Sequence, residues 1–213
     1  KSCITVTKFT PDSGQPRVKR KCKQASTPLC GGVYNQWFML SIDQQLQGAA
    51  RIGILAIDGV RVKETSDEIK RLLNDLADEY ARKYNESPLG EIPRVKQIRA
   101  IFHRSGLDPT RYRPSSESLL RRAVKGKGLY FINSMVDLIN YFSLKLLCPM
   151  GLFDADLLKP PITWRVGREG ESYEGIGRDR LNLANFPLLS DGDGPFASLV
   201  SDSMKTRVTE NCT

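Results

Sequence analysis

The chain has 213 residues, a mass of 23.9 kDa and a formal charge of +8, with 40% hydrophobic and 26% charged residues. That length suits one large domain or two small ones, and that composition is too apolar for wholesale disorder. The longest aliphatic run, Ile52–Ile57, falls far short of the roughly 20 residues of a membrane span, and no basic-then-apolar leader opens the chain.

Five cysteines, an odd number with no Cys-x-x-Cys pair, argue against a disulfide framework or a zinc finger and favour a reduced, cytoplasmic setting. His103 is the only histidine, which excludes a two-histidine metal site. The charge is uneven. Residues 1–40 hold seven Lys/Arg against the single acid Asp12 and so carry +6 of the +8. Electrostatic attraction to nucleic acid therefore rests on a short segment and not on the whole fold.

In chain order, Cys3–Phe9 alternates β-branched and polar residues as a half-buried strand does, and Pro11–Gln15 is turn chemistry. The basic run Arg17–Lys23 reads as a solvated face, and Gly31-Gly32 leads to a second strand over Val33–Leu40. Ile52–Ile57 with Asp58-Gly59 reads as a buried strand and its turn. Thr65 or Ser66 caps a helix in which Ile69, Leu72, Leu73, Leu76 and Tyr80 share a face, ending near Asn85.

A shorter helix covers about Arg94–Arg104, with His103 at its surface, and Gly106 and Pro109 stop it. Pro114-Ser115-Ser116-Glu117 starts the next helix, which ends at Gly126. Asn133 caps a further helix, apolar around most of its circumference, which predicts a central position. After Pro161, glycine-separated strands are expected over Ile162–Val166, Ser172–Ile176, Phe186–Leu189, Phe196–Val200 and Arg207–Thr209. Helices first and strands after argue for an α+β fold, a helical amino-terminal part packed on a mainly antiparallel mixed sheet.

Two groups of residues could carry chemistry. Arg121, Arg122, Lys125 and Lys127 surround Gly126 and Gly128, either as a dock for RNA phosphate or as a glycine helix cap with the usual cations at a helix end. Asp137 and Asn140, three apart on an apolar helix, either bond neighbouring backbone or line a pocket. The glycine turns at Gly167–Gly170 and Asp191–Gly194 read as hairpin and loop turns, and no spacing among the acids declares a metal site.

The ordered text of residues 114–160 goes further. Pro114–Arg122, Gly126-Lys127-Gly128-Leu129, Ile132–Tyr141 and Pro149–Asp156, followed by Trp164–Glu171 and Val208-Thr209-Glu210-Asn211, resembles the B3/4 domain over about residues 41–213. That domain is the editing module of the phenylalanyl-tRNA synthetase beta subunit and also occurs in free-standing proteins. The resemblance implies a cytoplasmic tRNA-binding module that hydrolyses mischarged aminoacyl-tRNA. The expected partner is the acceptor end of a tRNA or aminoacyl-tRNA, with no DNA, membrane, metal or cofactor. It does not imply a ligase.

The candidate catalytic residues are Asp137, Asn140, Asp154 and Asp202, the phosphate candidates are Arg121, Arg122, Lys125 and Lys127, and Tyr130, Phe131 or Tyr141 would stack on the terminal adenosine. Gly151 stands where the synthetase pattern Pro-x-His-x-Phe-Asp has its histidine, so hydrolysis here would use a water oriented by carboxylates and backbone. The alternative is a non-catalytic RNA-binding or protein-interaction domain. Residues 1–40 have the strand pattern with which free-standing relatives end. They either occupy that slot, with Ile4–Phe9 paired in the sheet and the two ends of the chain close together, or form a poorly ordered extension.

Overall fold

The computed structural model describes residues 2–9, as a strand, and residues 40–212. In chain order the elements are β1 (Ser2–Phe9), β2 (Leu40–Ile42), β3 (Arg51–Asp58), α1 (Asp67–Tyr84), α2 (Pro93–Arg104), α3 (Ser115–Val124), α4 (Ser134–Leu146), β4 (Met150–Asp154), β5 (Ile162–Val166), β6 (Ser172–Glu174), β7 (Arg180–Asn182), β8 (Pro187–Asp191) and β9 (Gly194–Ser198). This is the expected α+β class.

β1 is the centre of a three-stranded antiparallel sheet, with Ser2 opposite Asp58 and Phe9 opposite Arg51 on β3, and Cys3 opposite Asp154 on β4. The pairing expected of Ile4–Phe9 is therefore present. The buried Cys212 thiol donates to the Asp154 carboxylate at 3.0 Å, so both ends of the described chain converge on Asp154. A second sheet runs β2-β5-β8-β9, antiparallel except for β2 against β5, and β6 and β7 form a separate hairpin.

Local chemistry sets the helix ends. The Ser66 hydroxyl accepts the Ile69 N–H to start α1, Pro93 occupies the first turn of α2, and Asn133 Oδ1 accepts the Met135 and Val136 N–H groups at 3.2 and 2.9 Å to start α4. Ile98, Ile101 and Phe102 of α2 join Trp164, Phe186 and Phe196 in one core, while Leu76, Tyr80, Leu120 and Leu144 join α1, α3 and α4 in another. Glu117, 1% exposed, ties α2 to α3: it accepts from Arg99 at 2.7 and 2.8 Å and from Arg121 at 2.7 Å.

Four local expectations are corrected. β3 is half-exposed and not buried, with Leu55 59% exposed, because it lies at the edge of its sheet. α4 is not central: α1, α3 and β4 cover one side of it, leaving Phe142 41% and Leu146 45% exposed. Arg207–Thr209 is irregular chain after a short 3-10 turn, Met204–Thr206, and not a strand. Gly167–Gly170 does not close a hairpin, because β5 on one side of it pairs with β8 and β6 on the other pairs with β7, while the turn at Gly194 joins β8 to β9. His103 is exposed, as expected. Arg17–Lys23 and Val33–Met39 lie outside the described residues.

Candidate functional site

A cleft of about 490 Å3 opens between α4, the beginning of β4 and the segment Ser201–Glu210. Val136, Ile139, Met150, Leu152 and Val208 give it an apolar wall, while Ser115, Asn140, Asp202, Arg207 and Glu210 supply its polar groups. Two helices begin at its rim, α3 at Ser115 and α4 beside Asn133, so the positive ends of both helix dipoles border the space. A more enclosed recess of about 40 Å3 shares Ser115, Met150, Ser201 and Asp202 with the cleft and continues to Gly151, Phe153 and Ser198.

The Ser201–Ser203 segment is held from several sides. The buried Tyr173 hydroxyl donates to the Ser201 carbonyl at 2.6 Å, and burial pushes its pKa up, so it stays a donor. Ile176 N–H donates to the Asp202 carbonyl at 2.9 Å and Ser203 N–H to the Phe196 carbonyl at 2.8 Å. Asp202 is thereby fixed at the junction of cleft and recess. Arg207 and Glu210 are exposed at the cleft wall and neither has an ion pair among the described residues.

The four candidate catalytic residues divide. Asn140 and Asp202 line the cleft; Asp137 and Asp154 do not. Asp137 is wholly buried, where its carboxylate accepts the Thr65 hydroxyl and the Ile132 N–H, the latter at 3.0 Å. Burial raises its pKa above the ordinary carboxylate range against the pull of those bonds. Of the two alternatives open for this pair, Asp137 thus bonds backbone and Asn140 faces a pocket. Asp154 caps a short turn through the Asp156 N–H at 3.1 Å and accepts the Cys212 thiol, whose own pKa burial pushes up.

The basic cluster divides too. Arg121 is bound to Glu117. Arg122 donates to the carbonyls of Lys127 and Gly128, both at 3.1 Å, and lies 4.0 Å over the Tyr130 ring. Gly126 and Gly128 adopt positive φ angles of 61° and 66°, so this loop is a glycine-built helix ending. Lys125 and Lys127 are exposed with no ion pair among the described residues. Tyr130 and Phe131 are exposed, 60% and 41%, next to Ile132 at the cleft wall, whereas Tyr141 packs into the helical core and accepts from Lys145 at 2.9 Å. Sequence reasoning missed Arg207, Ser115 and Ser201 as cleft residues, although Asp202 and the Thr209-Glu210 text both pointed to that wall.

Gly151 sits against two groups. A Cβ built on it would collide with Cζ of Phe153 and lie 3.1 Å from Asp202 Oδ2. Among the described residues no group of three or more His, Cys, Asp or Glu side chains is placed to hold a metal ion, and no helix is long and apolar enough to cross a membrane.

This architecture, helices on a mixed sheet with a cleft at the α4–β4 junction, accompanies a direct family match: the B3/4 domain matches residues 97–213, more than half of the chain. The chain belongs to the B3/4 domain family. It is similar to phenylalanine–tRNA ligase beta subunits: 32% identical over 85 residues to that of Protochlamydia amoebophila, 36% over 69 to that of Bartonella henselae and 30% over 108 to that of Neisseria meningitidis serogroup B. These alignments cover 39%, 32% and 46% of this chain and 11%, 9% and 14% of the relatives, so the chain spans about a tenth of the length of the curated relatives it matches. No solved structure matches it significantly.

Proposed function

We propose that the cleft holds the aminoacylated 3′ end of a tRNA and that the protein hydrolyses the aminoacyl ester in the cytoplasm. The observation that carries this reading is the convergence of Asn140, Asp202 and Arg207 on one apolar-walled cleft large enough for such a group, in a chain similar to tRNA-ligase beta subunits. The Asp202 carboxylate orients a water and takes its proton as the oxygen adds to the ester carbonyl carbon. The ribose hydroxyl then leaves with a proton, freeing the amino acid. Asn140 donates to the ester or ribose oxygens. Arg207 contacts the terminal phosphate, and Lys125 and Lys127 meet phosphates further along the strand, where charge-assisted contacts fix register.

Lys127 is five residues from Ile132 in the cleft wall, which bounds their separation at roughly 18 Å for extended chain, the reach of a few nucleotides. The amino-terminal segment belongs to the same unit in this reading, β1 filling the slot that free-standing relatives complete from their other end.

A second reading, a domain that binds the RNA end without hydrolysing it, is favoured by Gly151, since a histidine side chain at that position meets the Phe153 ring. Purified protein incubated with tRNA charged by each of several amino acids distinguishes the two. Faster loss of one ester than in a protein-free control, abolished by Asp202→Asn, supports hydrolysis. Binding of charged tRNA with unchanged ester lifetime supports the second reading.

A further inference from the structure

The end of the described chain fixes one carboxylate against the cleft while leaving it exposed. Val208 and Cys212 are buried, 7% and 2% exposed, and the Cys212 thiol donates to the Asp154 carboxylate at 3.0 Å. Between those two anchors the chain folds back on itself. The Cys212 N–H donates to the Thr209 carbonyl at 2.9 Å, and the Asn211 N–H donates to Thr209 Oγ1 at 3.3 Å. Glu210 lies inside that turn, so its backbone is held from both sides, yet the residue is exposed on the cleft wall.

Arg207 lies three positions earlier on the same wall, also exposed, and neither residue has an ion pair among the described residues. Three residues of chain span at most roughly 11 Å. A cation and a carboxylate this close on one wall are complementary to a ligand that carries an anion and a cation side by side. The aminoacylated end of a tRNA is such a ligand, because one ribose separates its terminal phosphate from the ester that bears the α-ammonium group. With Arg207 on the phosphate, Glu210 is left to face the ammonium. A carboxylate accepts hydrogen bonds and donates none, and an ammonium offers it three donors and a charge. An N-acylated nitrogen has lost that charge and brings a carbonyl oxygen, a second acceptor, toward the first.

We propose that Glu210 binds the α-ammonium group of the aminoacyl ester, so that the cleft selects esters with a free amine and refuses N-acylated and peptidyl ones. Val208 and Cys212 position it, and the Asp154 carboxylate serves the site by holding Cys212. This rests on the reading of the cleft as an aminoacyl-ester site.

The test is a binding one, independent of hydrolysis. Adenosine 5′-phosphate carrying an amide-linked alanyl, leucyl or phenylalanyl group at its 3′ position is titrated into the full chain by calorimetry. Each is compared with two relatives, one with a hydroxyl in place of the amine and one with the amine acetylated. The free-amine probe is expected to bind roughly threefold to fivefold tighter than the hydroxyl probe, the scale of one solvent-accessible ion pair, and the acetylated probe to bind weakest. Glu210→Gln is expected to bring the free-amine probe down to the hydroxyl level and to leave the hydroxyl probe unchanged. Glu210→Lys is expected to reverse the order of the two. Both substitutions fall on an exposed residue, and an unchanged melting temperature checks that the fold is kept. Amine and hydroxyl probes of equal affinity, an acetylated probe as tight as the amine, or a preference that survives Glu210→Gln overturns this inference and leaves the cleft reading standing. Binding of no probe at all overturns the cleft reading and the inference with it.

Discussion

Thr65 and Asp137, 72 positions apart, share a buried hydrogen bond in which the hydroxyl of the connection before α1 donates to a carboxylate inside α4. The same carboxylate accepts the Ile132 N–H, and the Ser134 N–H donates to the Lys63 carbonyl at 2.8 Å. The connection from β3 to α1 is thus fastened to the loop that carries Ile132 and Asn133 into the cleft wall. Asp137 therefore holds the backbone of that loop in place through the bonds its carboxylate accepts.

Replacing Asp137 by Ala should leave the buried Thr65 hydroxyl and the part-buried Ile132 N–H without this acceptor and destabilise the fold by about 1–3 kcal/mol, read as a lowered urea midpoint. Burial raises the Asp137 pKa. Its contribution to stability is therefore fully present below the unfolded aspartate pKa and is lost as pH rises through the raised folded value. Asp137→Asn should remove that decline from a plot of stability against pH. A decline of the same size in the variant would count against this carboxylate as its source.

Glu117 carries the opposite sign. Burial alone would raise its pKa, but the hydrogen bonds from Arg99 and Arg121 outweigh burial and hold it below the ordinary carboxylate range. Its contribution is present above the unfolded glutamate pKa and is lost as pH falls through the lowered folded value. Glu117→Gln should cost about 2–4 kcal/mol at neutral pH. That is the scale of a broken buried pair, with some relief because both arginines keep access to water. The variant should also lose acid sensitivity in that window, measured by thermal melts between neutral pH and the carboxylate range.

The phosphate candidates separate by salt dependence. Lys125→Ala and Lys127→Ala should each weaken RNA binding evenly across sequences and reduce the slope of log affinity against log salt by about one. Arg121→Ala should leave the slope unchanged and lower the melting temperature instead, since its guanidinium is held by Glu117. A slope change for Arg121→Ala alone would reverse this division of roles.

Restoring the family's histidine should not restore its chemistry. Gly151→His places a Cβ against Phe153 Cζ, and overpacking of this kind costs about 1–3 kcal/mol. The expected result is a less stable protein with no faster ester cleavage. A stable Gly151→His variant with faster cleavage would show that the Phe153 ring moves aside.

Much of the local structure was legible along the chain because it depends on neighbours in sequence. Ser66 and Asn133 as helix caps and Gly126 as a helix ending all act within a few residues, and the apolar spacing of Leu73, Leu76 and Tyr80 marks the buried face of α1. The β strands Ser2–Phe9 and Ile162–Val166 follow from alternation and turn residues in the same way. The ordered text around Asp137 and Phe153 identified the family.

Other features depend on what lies across space, which periodicity cannot encode. The circumference of α4 is apolar whether or not a partner covers it, so exposure of Phe142 and Leu146 followed only once α1, α3 and β4 took one side. Asp137 and Asn140 are equivalent as helix positions, yet one meets Thr65 and the other a cleft. Arg121 and Lys127 are equivalent as charges, yet Glu117 claims the first. Residue types and their spacing determined which elements form and to which family they belong. Tertiary packing decided which polar groups keep an open valence for a ligand, because a hydrogen bond or ion pair already satisfied inside the fold is no longer available outside it.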